Sequence, residues 1–112
     1  MNVLILGVEY KIEFKKQSED KKLNNCDGYC DYTTKSIVCL DGRKKSVMDL
    51  GNLDEVKKRI LRHEILHAFI YESGLWCNSF GVTTWAENEE MTDWFAIQSP
   101  KIYKLYKKLN LL

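Results

Sequence analysis

The stretch from Asn52 to Gly74 constrains this chain more than any other. Asn52 is followed three residues later by Glu55, the pattern of a helix N-cap with its reciprocal acid, and Gly74 supplies a stop after Ser73. The spacing predicts one helix over residues 53–73. At about 100° per residue, its first half carries Lys57, Lys58, Arg59 and Arg62 around much of the circumference, whereas from Leu61 onward apolar residues occur nearly all round. The second half is therefore expected to be buried, and the rest of the chain must supply what covers it. With 112 residues, 45% of them hydrophobic, there is material for one core and not for two, so a single domain over residues 1–112 is expected.

The covering elements can be read on either side. Val8, Tyr10, Ile12 and Phe14 alternate with Glu9, Lys11, Glu13 and Lys15, the period of a strand with one wet face. Residues 16–28 are polar and end in Asp27-Gly28, a surface loop with room for a short helical turn. Two β-rich runs between Tyr29 and Leu40 flank residues 33–36 and suggest a hairpin, making three strands in all. With Thr34-Lys35 as its two-residue turn, Cys30 falls opposite Cys39 and Tyr32 opposite Ile37. Thr84-x-x-Glu87 has the form of a capping box opening a helix over residues 85–98, and Ser99-Pro100 that of the start of a third helix with Ile102, Leu105 and Leu109 at helical spacing. The expected architecture is α+β: a short three-stranded sheet, a central helix, a second helix rich in glutamate and a C-terminal helix. Trp76, Trp85 and Trp94 are expected to serve that core rather than an exposed patch.

Charge and composition narrow the function. Seventeen basic against sixteen acidic residues leave a net charge of +1, so there is no electrostatic footprint for nucleic acid. The apolar run from Val3 to Leu6 is far shorter than the roughly 20 residues of a membrane span, and no basic segment precedes it as in a signal peptide. A soluble, cytoplasmic protein without membrane partners is expected. That setting favours reduced thiols at Cys26, Cys30, Cys39 and Cys77, none of which forms a C-x-x-C pair.

The chemistry sits inside the buried half of the helix. His63-Glu64-Ile65-Leu66-His67 is an HExxH pattern, and residues four apart on a helix project from one face about one turn apart, so one divalent ion can bridge the two imidazoles. Glu64 points about 100° away from His63 and can act as a proton acceptor beside the metal rather than as a ligand. An ordinary pair of helix histidines explains this less well. These are the only two histidines in the chain, and they and Glu64 lie among apolar neighbours, where unpartnered polar groups are costly to desolvate. One zinc per chain is expected, bound by His63 and His67, with peptide-bond hydrolysis by activated water as the reaction. With no histidine left, a third ligand must be Glu, Asp or Cys from another segment, because Glu72 projects near the opposite side of the same helix. Residues 87–93 offer Glu87, Glu89, Glu90 and Asp93, and of these Glu89 and Asp93 are four apart on one face.

The run HEILHAF, taken with Asn88-Glu89-x-x-x-Asp93-x-Phe95-Ala96, resembles the gluzincin metallopeptidases. It is more closely similar to the minimal ImmA/IrrE-type peptidases and related phage or mobile-element proteins, over roughly residues 29–97. The resemblance implies that Glu89 is the third zinc ligand and that Asp93 accepts the free N–H of a zinc-bound imidazole, most simply His63. It implies that the strand before the metal helix, Ser36, Ile37, Val38, Cys39 and Leu40, lines the cleft and offers backbone groups on an unpaired edge to an extended peptide substrate. It further implies limited proteolysis of a regulatory protein of a phage or mobile element. The chain departs from larger gluzincins in lacking a downstream histidine to stabilise the oxyanion, which leaves Tyr71, Tyr103, Tyr106 and Arg62 as donors. A thiolate from Cys26, Cys30 or Cys39 on the metal is a further arrangement the sequence allows, less ordinary than buried thiols. The alternatives are a noncatalytic, zinc-stabilised module that binds a protein partner and a non-peptidase zinc hydrolase.

Overall fold

The computed structural model describes residues 1–42, 51–79 and 84–112. The fold is α+β, with a four-stranded mixed sheet and two long helices. Strands β1 (Asn2–Ile5), β2 (Val8–Lys15), β3 (Gly28–Asp31) and β4 (Ser36–Leu40) stand in the order β1-β2-β4-β3. The pairs β1–β2 and β3–β4 are antiparallel, and β2 meets β4 in parallel, with Ile12 opposite Ile37 and Phe14 opposite Cys39.

The expectation of three strands is corrected by β1. Its apolar run is a true period-two strand, with Ile5 buried and Leu4 exposed, and it was hidden by its turn. Leu6 and Gly7 both sit at positive φ, 48° and 83°, the two-residue hairpin geometry for which Asn-Gly rather than Leu-Gly is the usual signal. The β3–β4 register is also corrected. Cys30 faces Ile37 and Gly28 faces Cys39, because the hairpin loop is four residues long, not two. Asp31 makes it so: its Oδ1 accepts from the backbone N–H groups of Thr33 (2.9 Å) and Thr34 (3.2 Å), and Lys35 takes a positive φ of 56° to close the loop. The shift of two residues leaves every side chain on the face its alternation requires.

The loop after β2 holds a 3-10 turn at Lys21–Asn24, as its composition suggested, with Leu23 buried. Helix α1 (Leu53–Glu72) begins at Asn52, whose side chain accepts from the Glu55 N–H, and ends at Ser73 with Gly74 at φ 83°. It lies across one face of the sheet, where Ile5, Tyr10, Ile12, Ile37, Cys39 and Ala68 form the core and Ile60, Leu61 and Ile65 pack against it. Its far end is tied down by Glu72, which accepts from the Tyr10 hydroxyl at 2.7 Å and pairs with Lys35.

The second and third helices expected from sequence are one. After a 3-10 turn at Trp85–Glu87, helix α2 (Glu89–Lys108) starts at Asn88, whose side chain accepts from the Met91 N–H at 2.9 Å, and runs through Pro100 without stopping. Pro100 has no N–H for the carbonyl of Ala96, and the Arg62 Nε–H of α1 donates to that carbonyl instead. A proline that reads locally as a helix start is thus accommodated in a helix interior by a tertiary partner. Among the described residues no helix is long and apolar enough to cross a membrane.

Gly28 leaves no room for a side chain between β3 and α1. A Cβ there would lie 2.9 Å from Ile60 Cγ2 and 3.1 Å from the Val38 carbonyl oxygen. Gly28→Ala should therefore lower stability by about 1–3 kcal/mol in urea unfolding, as overpacking does. An unchanged midpoint would mean that β3 is free to move away from α1.

Candidate metal centre

One row of α1 forms the floor of an open cleft of about 570 Å³. Arg59, His63, His67 and Tyr71 stand four residues apart and all line it. Four residues advance a helix by about 6 Å and rotate it by only about 40°, so such a row stays on one face. Residues 26–30, at and before β3, form a facing wall, and the first turns of α2 contribute Glu89 and Asp93.

The pairing of α1 with α2 sets this geometry. Thr92 and Ala96 of α2 are fully buried, small enough to let the helices approach, and the Arg62–Ala96 hydrogen bond fixes their relative height. One turn nearer the N-terminus of α2, Asp93 Oδ1 lies 2.7 Å from His63 Nδ1. The Nδ1–H donates to this carboxylate, which holds the ring plane and turns the Nε2 lone pair inward. There His63 Nε2 is 2.9 Å from His67 Nε2 and 2.9 Å from Glu89 Oε2, and His67 Nε2 is 3.2 Å from Glu89 Oε1.

Two imidazole nitrogens and a carboxylate have thus been brought to one point. With both Nε2 atoms unprotonated, all three are acceptors, poorly matched to one another and well matched to a shared cation. Ligands bound to zinc at about 2.0–2.1 Å in a tetrahedral array are separated by roughly 3.3 Å, close to the spacings here. Glu64 adds its carboxylate to the group, with ligand atoms of His63, Glu64 and His67 all within 4.8 Å of one another. The residues present therefore fit a divalent metal, and the nitrogen-and-carboxylate set suits zinc.

No family model, curated protein or solved structure matches this chain.

The remaining sequence-predicted residues sort clearly. Glu89, and neither Glu87 nor Glu90, reaches the histidines: Glu87 accepts from the Thr84 hydroxyl and Glu90 is exposed. The connection leading to them lies partly outside the described residues, at 80–83. Ser36, Ile37, Val38, Cys39 and Leu40 do not offer an unpaired edge, since β4 is an interior strand bonded to β2 on one side and β3 on the other. Among the described residues the edge strand beside the cleft is β3, which hydropathy could not have revealed because edge position follows from strand order. Of the four oxyanion donors, only Tyr71 lines the cleft, while Arg62 is engaged by Ala96 and Glu55. Cys26 and Cys30 line the cleft, but burial raises both thiols, Cys30 to about 12, and disfavours the thiolate; Cys39 is buried and likewise raised to about 12. All four cysteines are free. Trp85 and Trp94 are 57% and 53% exposed, against the expectation that they fill the core, and only Trp76 is drawn in, at the cleft.

Glu64 is 7% exposed, and burial, reinforced by Glu89 and Asp93, lifts its pKa from 4.5 to about 7 against the opposing pull of His63. In metal-free protein the folded chain then keeps a proton that the unfolded chain releases. Glu64 thereby favours folding at acidic pH, and this contribution is lost as pH rises from about 4.5 through 7. The loss should be on the order of 3 kcal/mol. His67, lowered first by burial, acts in the opposite sense, so comparison with Glu64→Gln isolates Glu64. Urea unfolding in chelator at pH 5 and pH 8 should show the variant gaining relative to wild type at the higher pH; equal pH dependence in the two proteins would contradict the burial argument.

Proposed function

We propose that this chain is a zinc-dependent metallopeptidase. The observation that carries the reading is the convergence of His63 Nε2, His67 Nε2 and the Glu89 carboxylate, within 3.2 Å of one another, on the floor of an open cleft beside a buried carboxylate. His63, His67 and Glu89 would hold the zinc, and Asp93 would keep the His63 ring in place. Zinc held there supplies Lewis acidity, polarising a carbonyl and making water acidic enough to lose a proton near neutral pH.

Everything else falls to the protein's own groups. Glu64, buried beside His63, would take the proton from attacking water and hand it to the departing amine nitrogen, so that one carboxylate serves first as base and then as acid. That task requires Glu64 to stay off the metal, which His63, His67 and Glu89 would hold. Tyr71 is the hydroxyl on the cleft floor available to the developing oxyanion. The free edge of β3 offers its backbone to an extended peptide, replacing β4 in that role. The likeness of HEILHAF and the Glu89–Asp93 pair to the small ImmA/IrrE-type peptidases supports limited proteolysis of a regulatory protein, of the kind encoded by phages and mobile elements, over bulk digestion.

The exposed apolar residues Trp94 and Leu105 of α2 and Leu109 at its C-cap favour as second reading a zinc-stabilised module that binds a protein partner. One variant separates the two. Glu64→Gln should bind zinc as wild type does, by competition against a chromophoric chelator, yet lose peptide cleavage by at least about 100-fold in a mass-spectrometric product assay. Glu89→Ala should lose zinc affinity, and Asp93→Asn should weaken it by about 10–100-fold. Cleavage surviving in Glu64→Gln, or full zinc affinity in Glu89→Ala, would overturn the assignment.

A further inference from the structure

The cleft is chemically lopsided. Toward the N-terminal end of α1 its lining is charged, with Arg59 and Asp27, whereas beyond His67 it ends in three aromatic rings. Tyr71 stands one turn further along α1, Tyr32 comes from the β3–β4 loop and Trp76 from the turn after α1. Tyr32 and Tyr71 are stacked, with centroids 4.1 Å apart and planes 13° apart, and Trp76 meets Tyr32 at 5.8 Å with a tilt of 48°. All three are half-buried. Lys35 lies 4.9 Å from the Tyr71 ring centre, but Glu72 pairs with it, so its charge is spent within the fold.

We propose that Tyr32, Tyr71 and Trp76 form a recognition pocket for a large apolar or aromatic side chain of a peptide. Stacking consumes the facing surfaces of Tyr32 and Tyr71 and makes a rigid wall, while Trp76, set at an angle to it, closes a corner of apolar ring surface. A flat or branched apolar group gains both desolvation and edge-to-face contacts there. A carboxylate entering that corner would give up water against ring surface, with Lys35 already paired to Glu72. One helical turn is about 5.4 Å and one extended residue about 3.3 Å, so the pocket reads a side chain one or two residues from whatever lies over the histidines. That this side chain flanks a cleaved bond rests on the peptidase reading; its recognition does not.

The test uses zinc-loaded Glu64→Gln protein and end-capped Ala-X-Ala-Ala peptides with X as Phe, Leu, Ala or Asp, titrated calorimetrically. Phe and Leu peptides should bind about tenfold or more tightly than Ala and Asp peptides. Trp76→Ala should erase that preference while leaving zinc affinity and the weak binding of the Ala peptide unchanged, and Trp76→Phe should restore it. Should Trp76→Ala fail to fold, Tyr32→Ser, in the loop, must reduce the same preference. Equal affinities across the four peptides, or a preference that these variants leave intact, would overturn the pocket. Wild-type protein that binds the Phe peptide preferentially but never cleaves it would defeat the peptidase reading alone, and cleavage with no side-chain preference would defeat the pocket alone.

Discussion

The contact between α1 and the first half of α2 is the interaction on which the site depends. Two small buried residues, Thr92 and Ala96, set the distance between the helices, and Arg62 sets their register by donating to the one carbonyl that Pro100 leaves without a helical partner. An unsatisfied buried carbonyl costs about 1–3 kcal/mol, so the proline and the arginine form a matched pair that permits one height of α2 against α1. At that height Glu89 and Asp93 arrive at the two histidines. Shifted by one turn, about 5.4 Å, the same carboxylates would no longer reach them.

The electrostatics follow from that placement. Two imidazoles, Glu64, Glu89 and Asp93 crowd a partly desolvated cleft, and without a cation the arrangement is tense: Glu64 is driven toward its neutral form and His67 toward its neutral form as well. A divalent ion would relieve both, by supplying positive charge to the acids and a use for the histidine lone pairs. Elsewhere the chain keeps charge in conventional pairs, as at Glu72 with Lys35 and Asp41 with Lys57.

Much of this was legible in the residues. The extent of α1, its caps, the strand β2 and the shared face of His63 and His67 follow from periods and caps that act within a few residues. What escaped were features decided at long range. Leu6-Gly7 carries no usual turn signal, and β1 acquires its identity by pairing with β2. Ser99-Pro100 imitates a helix start because its partner, Arg62, is more than thirty residues away. The hairpin loop lengthened because one carboxylate, Asp31, bonds two amides, and the edge role passed from β4 to β3 because strand order is invisible to hydropathy. Glu89 and Asp93 could be placed on one face from their spacing, but choosing Glu89 over its two glutamate neighbours required resemblance to known peptidases.

The central claim is that His63, His67 and Glu89 share one cation. X-ray absorption spectroscopy of the protein loaded with one equivalent of zinc tests it most directly. A cation shared by these three residues should give a nitrogen-and-oxygen coordination shell at about 2.0–2.1 Å, with the multiple-scattering signature of two imidazoles and no sulfur. A sulfur shell at about 2.3 Å, or an imidazole count other than two, would contradict it.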